Sequence, residues 1–205
     1  HMKKETLTDI FNEEGGDKGS FFQHVGSSDN IAHNYTAIYE QIMEPYRDDK
    51  LSILEIGLWC PFFPGASVKA WNRYFTNATY YGIDIVDCRH LAKENVYIDI
   101  VDQKSEWGLE NYVSDKDKFK FIIDDGCHQE DAITISLGCL FPRLESGGTY
   151  FIEDLHVVDK TNLYKLCDKT FSTDFISSEK ISYINSNIDT CVFSKDEKLC
   201  MITKL

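Results

Sequence analysis

Basic residues are scarce in this chain. Lysine and arginine number 21 against 34 aspartates and glutamates, a formal net charge of −13 over 205 residues. A phosphate-backbone partner calls for a basic face, so this balance argues against nucleic acid. It leaves a small anionic substrate open, because a metal or a local cation can hold one. No apolar run approaches the ~20 residues of a membrane span. The opening HMKKETLTD has no apolar stretch of the signal-peptide kind. His1-Met2 reads as the remnant of a cloning tag, and His1 is set aside from any site. Cysteine occurs seven times but never as C-x-x-C. An odd set without paired spacing reads as reduced, mostly buried thiols rather than a disulfide framework or a zinc site, and a cytoplasmic location is then the default. G-x-G-x-x-G is also missing, which argues against a nicotinamide dinucleotide.

What remains is an ordinary globular composition, 42% hydrophobic and 27% charged, long enough for one domain with a substantial core. The polar opening with GGDKGS reads as a short helix and a loop. The 3/4 spacing of Tyr35, Ile38, Tyr39, Ile42 and Met43 predicts a helix over 34–46. Apolar, β-branched runs predict strands over 51–58, 79–85, 95–102, 119–125 and 147–154. Helices are predicted over 67–74, 132–144 and 159–171, with two late strands over 180–184 and 190–193. LCMITKL closes the chain, and Asp196-Glu197-Lys198 reads as the turn of a terminal hairpin. Strands alternating with helices and ending in a hairpin predict an α/β fold, a doubly wound and mostly parallel sheet with an antiparallel edge.

The chemistry concentrates at strand ends. FIIDDGCH and YFIEDLH each begin apolar and end in adjacent carboxylates with a histidine close behind. They are one strand–helix–strand crossover apart, so parallel strands bring both acidic ends to the sheet edge where open α/β folds bind ligands. With Asp125, Glu153 and Asp154 ~5 Å apart and an effective dielectric of ~20, each pair repels by roughly 3 kcal/mol, and the three pairs by roughly 10. Protons, a basic side chain or a cation must offset this, and neither motif contains Lys or Arg. Oxygen ligands favour a hard ion, Mg²⁺ first, with Mn²⁺ or Ca²⁺ as alternatives. The competing reading is that these acids diverge and cap helix N-termini. Asp124 and Asp125 point to opposite faces if strand geometry persists, so at most one is a ligand. His128, three residues beyond Asp125, is placed to take a proton; His156 ranks below it. His24, His33 and His90 carry no signal of their own. Gly57, after the first strand, and Asp84, ending the second, form a nucleotide-binding arrangement in which the acid accepts ribose hydroxyls. GDKGS lacks a full P-loop. Trp71, Tyr74 and Phe75 read as core, and Cys127 as packing.

Together the segments GGDKGS, HNYTAIYEQIMEPYR, ILEIGL, SVKAWNRYFTNATYYGIDI, VDQKSE, FIIDDGCHQED and LFPRLESGGTYFIEDLH resemble class I S-adenosylmethionine-dependent methyltransferases. More narrowly they are similar to the metal-dependent macrocin- and mycinamicin-type sugar O-methyltransferases. The resemblance runs from Gly15 to His156. It implies a seven-stranded Rossmann-like sheet in a single domain over 1–205, with 1–48 covering the cofactor site. It implies S-adenosyl-L-methionine and Mg²⁺ as cofactors. Glu55, Gly57, Ser67, Asp84, Asp102, Gln103 and Asp124 would surround the former, with Asp84 on the ribose, Asp102-Gln103 near the adenine and Asp124 near the methionine end. Asp125, Glu153 and Asp154 would bind the metal, His128 would be the base, and Lys18 and Tyr35 would belong to the covering segment.

Two departures stand out: LWCPFFPGAS replaces the compact glycine-rich loop usual after E-I-G, and Cys127 stands where serine is usual. The implied acceptor is a sugar hydroxyl on a nucleotide sugar, a surface-polysaccharide precursor or a glycosylated natural product. The resemblance implies a homo-oligomer, and the acidic balance and short apolar runs predict no nucleic-acid or membrane partner. Two other readings compete: an iron-dependent hydroxylase of the cephalosporin-hydroxylase-like type, using two histidines and a carboxylate, and a non-catalytic subunit that keeps the methyltransferase fold for binding.

Overall fold

The computed structural model describes residues 3–23, 26–58 and 65–205. The chain runs α1 (Leu7–Glu14), α2 (Thr36–Met43), β1 (Ser52–Ile56), α3 (Ala66–Tyr74), β2 (Thr79–Asp84), β3 (Val96–Ile100) and α4 (Glu106–Val113). It continues through β4 (Phe119–Asp124), α5 (Glu130–Leu140), β5 (Leu144–Ile152), α6 (Thr161–Tyr164), α7 (Ser178–Asn187), β6 (Ile188–Phe193) and β7 (Cys200–Lys204). The seven strands form one sheet in the order β3-β2-β1-β4-β5-β7-β6. β1 to β5 pair in parallel, and β7 is antiparallel to both β5 and β6. The doubly wound sheet with an antiparallel hairpin is as the sequence predicts.

Period-2 alternation divides the core between the two faces. Ile53, Phe121, Ile123 and Phe151 point to one face, where α1, α2 and α3 cover them with Phe11, Tyr39, Trp71 and Tyr74. Leu54, Ile122, Tyr150 and Ile152 point to the other, under Leu109 of α4, Leu137 of α5 and Ile184 of α7. Trp71, Tyr74 and Phe75 are core, as read from sequence.

The late segments differ from expectation. Residues 180–184, predicted as a strand, lie inside α7, because Ser177 caps the helix through a bond to the Lys180 amide and Ile181 and Ile184 share a helical face. The helix predicted over 159–171 is a single turn, α6, opened by Asp159 bonding the Thr161 amide and followed by turns with Lys169 at φ 58°. No element is predicted where α4 stands; its signal is Ser105, whose hydroxyl accepts from the Gly108 amide. Of the cysteines, Cys127, Cys139, Cys167, Cys191 and Cys200 are free, and Cys127, read as packing, is instead exposed and lines the cavity at the strand ends. Cys88 is disulfide-bonded, which corrects the expectation of reduced thiols throughout. Residues 59–64 of the atypical loop lie outside the described residues.

The order reverses between β1 and β4, the switch point at which such sheets bind ligands at their carboxyl edge. Gly57 begins the loop there with φ 85°, and a Cβ on it would stand 2.0 Å from the Asp125 carbonyl oxygen. Gly57→Ala therefore forces backbone apart at the site as well as straining φ. In urea denaturation it is expected to cost about 2–4 kcal/mol. Gly147→Ala, at φ 72° with only Lys120 Nζ at 3.9 Å, is expected to cost about 1 kcal/mol from φ alone. Equal losses would show that the contact with Asp125 is without effect.

Candidate active site

β4 and β5 run parallel with Asp124 opposite Ile152, and the Glu153 amide donates to the Asp124 carbonyl at 2.9 Å. This pairing sets the acidic ends side by side. Asp124 and Asp125 diverge as the strand period requires. Asp124 is buried and accepts from Gln103 Nε2 at 2.7 and 2.9 Å, Ser136 Oγ at 2.9 Å and the Gly126 amide at 3.2 Å. Burial pushes its carboxyl above the ordinary range despite these donors.

Asp125 and Glu153 share a cation that the two motifs do not contain. Lys18 Nζ lies 2.6 Å from Asp125 Oδ2 and 2.7 Å from Glu153 Oε2, and Lys18 is only 2% exposed. The segment around it is fixed by backbone pairing: the His33 amide donates to the Asp17 carbonyl, Asn34 to Gly19 and Thr36 to Lys18. The same pairing delivers Tyr35, whose hydroxyl donates to Asp154 Oδ1 at 2.6 Å and accepts from the Asp154 amide at 3.1 Å. Tyr39 of α2 donates to Glu153 Oε1.

One lysine does not balance three acids. Burial and the neighbouring Glu153 charge hold Asp125 well above the usual carboxylate range, against the pull of Lys18. Burial likewise pushes Glu153 up to about 7, with Asp154 adding to the effect. Burial acts to raise Asp154 too, but the Tyr35 hydroxyl and the facing His128, His33 and Lys18 hold it below the ordinary value. Burial and the two acids give Lys18 opposing pushes, and the acids win, keeping the ammonium charged.

His128 closes the group. Its Nε2 stands 3.3 Å from Asp154 Oδ2 and 3.7 Å from Asp125 Oδ1. Ligand atoms of Asp125, His128 and Asp154 lie within 4.8 Å of one another. Glu153 is not in that grouping; its oxygens face Lys18 and Tyr39. His128 and Asp154 both have left-handed backbone, at φ 53° and 55°. That conformation is costly for residues other than glycine and recurs where a fold holds side chains in place for function.

A cavity of about 760 Å³ opens beside this cluster, within the range of small-molecule sites. Asp84, Asp102 and Gln103 line one part, with Val86 and Val101 as apolar wall; Asp125, His128 and Asp154 line the other. Both Asp84 oxygens are also held by backbone, accepting from Leu58 N at 2.7 Å and Val86 N at 3.0 Å. Gln103 both lines the cavity and ties Asp124 to the Cys127 amide. Ser67 and Lys18 line a smaller adjoining pocket with Gly57. Glu55 lies beneath, fully buried, accepting from Ser67 Oγ, Trp71 Nε1 at 2.9 Å and Tyr80 OH at 2.8 Å.

Two residues here carried no functional signal in the sequence. His33 stacks on Tyr35 and holds Nε2 3.7 Å from both Asp17 Oδ2 and Asp154 Oδ1. Asp17 lines the cavity. Both come from the pairing of 17–19 with 33–36, and their only prior trace was adjacency to Lys18 and Tyr35.

No family model matches the chain. Over 126 residues it is 36% identical to 8-demethyl-8-alpha-L-rhamnosyl tetracenomycin-C 2'-O-methyltransferase of Streptomyces olivaceus, a match covering 60% of this chain and 33% of that protein. It is 32% identical over 126 residues to demethylmacrocin O-methyltransferase of Streptomyces fradiae, covering 60% and 32%. The match thus spans about a third of the length of these curated relatives. Among solved structures, MycE methyltransferase from the mycinamycin biosynthetic pathway, in complex with Mg, SAH and mycinamycin VI, superposes with a TM-score of 0.80 at 22% identity, over 98% of this chain and 55% of that one. An O-methyltransferase from Bacillus cereus in complex with SAH gives 0.51 at 11% identity, over 99% and 93%. The chain therefore has the class I methyltransferase fold, and its sequence is similar to the macrocin- and mycinamicin-type sugar O-methyltransferases.

Proposed function

We propose that this chain is a methyltransferase domain, with 1–48 covering its cofactor site, that transfers a methyl group from S-adenosyl-L-methionine to a sugar hydroxyl with the help of Mg²⁺. The observation that carries this reading is one cavity running from Asp84, at the end of β2, to the Asp125–His128–Asp154 cluster at the ends of β4 and β5. The residues fit both groups. A ribose-bearing cofactor finds Asp84 as hydroxyl acceptor, Asp102 and Gln103 as polar partners, and Val86 and Val101 as apolar surface. A hard divalent ion finds oxygen donors that, among the described residues, set one lysine against three acids, so the cluster is short of positive charge.

Asp125 and Asp154, with Glu153 behind them, would hold the metal. When bound, the ion supplies Lewis acidity that lowers the pKa of a hydroxyl, and the sulfonium cofactor supplies an electrophilic methyl. His128 accepts the hydroxyl proton at Nε2, and Asp154, held low by Tyr35, stabilises the imidazolium. Asp84 and the residues at the strand ends would position donor and acceptor along the cavity, and such positioning is the protein's main contribution to rate. The iron reading calls for two histidines and a carboxylate. The described grouping has one histidine and two carboxylates, and His156 stands outside it. The acceptor is a hydroxyl of a nucleotide sugar, a surface-polysaccharide precursor or a glycosylated natural product, in a homo-oligomer whose surface faces neither nucleic acid nor membrane.

Incubation with a panel of glycosides and nucleotide sugars should give a product heavier by about 14 Da; a gain of about 16 Da would support hydroxylation instead. His128→Ala is expected to bind S-adenosylmethionine with unchanged affinity in calorimetry while methyl transfer falls about 10²–10⁴-fold. Full turnover in that variant removes the base assignment.

Lys18→Met tests the cation deficit. Leaving Asp125 and Glu153 without their buried partner costs about 3–5 kcal/mol, or roughly 6–20 °C in Tm. Both acids already titrate above their unfolded values. The folded state therefore binds protons that the unfolded state releases, and removing Lys18 raises these pKa values further. The deficit should be largest above pH 7 and shrink toward pH 5.5. Added Mg²⁺ at pH 8 should raise the variant's Tm more than the parent's. A deficit independent of pH and of Mg²⁺ would count against a cation site.

A further inference from the structure

Three free cysteines meet away from the site, beside the terminal hairpin. Cys167 lies in the turns after α6, Cys191 on β6 and Cys200 on β7. Cys191 pairs with Ile202 and Phe193 with Cys200, so Cys191 and Cys200 face the same side of the hairpin on a diagonal. Cys167 Sγ is 2.9 Å from Cys191 Sγ, and Cys191 Sγ is 3.7 Å from Cys200 Sγ. Burial is graded across them: Cys167 is exposed, Cys191 half-buried and Cys200 buried.

The first separation decides between two chemistries. Two thiolates sharing a tetrahedral zinc at ~2.3 Å sit about 3.8 Å apart. At 2.9 Å, Cys167 and Cys191 are too close for that and within an ångström of the ~2.05 Å disulfide bond. We infer that Cys167 and Cys191 form a reversible disulfide, a modification site that covalently ties the segment leaving the active site to the edge of the sheet. That segment is already held without a covalent bond. Leu155, next to Asp154, donates its amide to the Lys198 carbonyl at 2.9 Å, and Tyr164 packs its ring on Phe193 and bonds Glu197. The disulfide would add a covalent link to these contacts, lasting until it is reduced.

The oxidant is a two-electron thiol oxidant such as the azo compound diamide. The solvent-facing Cys167 loses its proton and its sulfur adds to an azo nitrogen. The Cys191 sulfur, also deprotonated, attacks the Cys167 sulfur; the S–N bond breaks, and the reduced hydrazine leaves with both electrons and both protons. Partial desolvation and the hydrogen bond with Cys191 raise the Cys167 thiol to about 12, and the hydrogen bond with Cys200 raises Cys191 as well. The pair is therefore quiet at neutral pH and faster in alkali.

The full chain is treated with diamide at pH 8.5 and compared with the untreated protein. Expected are the loss of two alkylatable thiols, a decrease of about 2 Da, and a non-reduced peptide joining Cys167 to Cys191. The closed loop should raise Tm by about 5–10 °C, reversed by dithiothreitol. Cys167→Ser should abolish the cross-linked peptide and the Tm rise, while Cys200→Ser keeps both. The inference is overturned if Cys167 and Cys191 stay alkylatable while exposed Cys127 is consumed, or if the peptide recovered joins Cys191 to Cys200 or links two chains.

Discussion

The ammonium of Lys18 between Asp125 and Glu153 is the contact on which the rest of the site depends. Parallel pairing of β4 and β5 forces two acidic strand ends together, and their repulsion has to be offset by something. Lys18 does this from more than a hundred positions away in the chain. To reach the buried position it needs the 17–19 and 33–36 segments paired, and that pairing sets Tyr35 on Asp154 and His33 against Asp17 and Asp154. The ion pair thus orders the N-terminal segment, and the segment forms the site's second wall. In a buried setting such a pair contributes little net stability, but loss of one partner is costly.

The compensation is partial, and this gives the cluster its chemical character. A full set of counter-charges would leave three ordinary carboxylates. With one lysine, Asp125 and Glu153 remain proton-hungry, with Glu153 near 7, while Asp154 is held ionised by Tyr35 and the histidines. Adjacent acids pushed in opposite directions are a recurrent mark of sites that bind cations or move protons.

Much of this was legible in the sequence because it depends on local pattern. Apolar runs ending in acids predict parallel strands with their carboxylates on one edge, and period 2 separates Asp124 from Asp125 before any coordinates exist. Asp84, Asp125, Asp154 and His128 follow from that reading. Lys18 as the counter-charge did not, because a search for basic residues within the motifs cannot see a partner supplied through tertiary pairing. His33 was invisible for the same reason. The 180–184 segment failed differently: its alternating Lys-Ile-Ser-Tyr-Ile satisfies a strand template, and the Ser177 cap, a single hydrogen bond, decides for helix.

Backbone strain supplies the last step. Asn34, His128 and Asp154 are three of the non-glycine residues with left-handed φ, and they flank one cluster from three separate loops. Each such residue costs about 1–3 kcal/mol unless its surroundings over-determine it. For Asp154 the surroundings are visible: Tyr35 bonds both its amide and its carboxylate, and Glu153 is fixed by Lys18 and Tyr39. The strain is therefore sustained by the same ion pair that orders the N-terminal segment. A chain that lost Lys18 would relax Asp154 as well as uncover charge, so geometry and electrostatics at this site fail together.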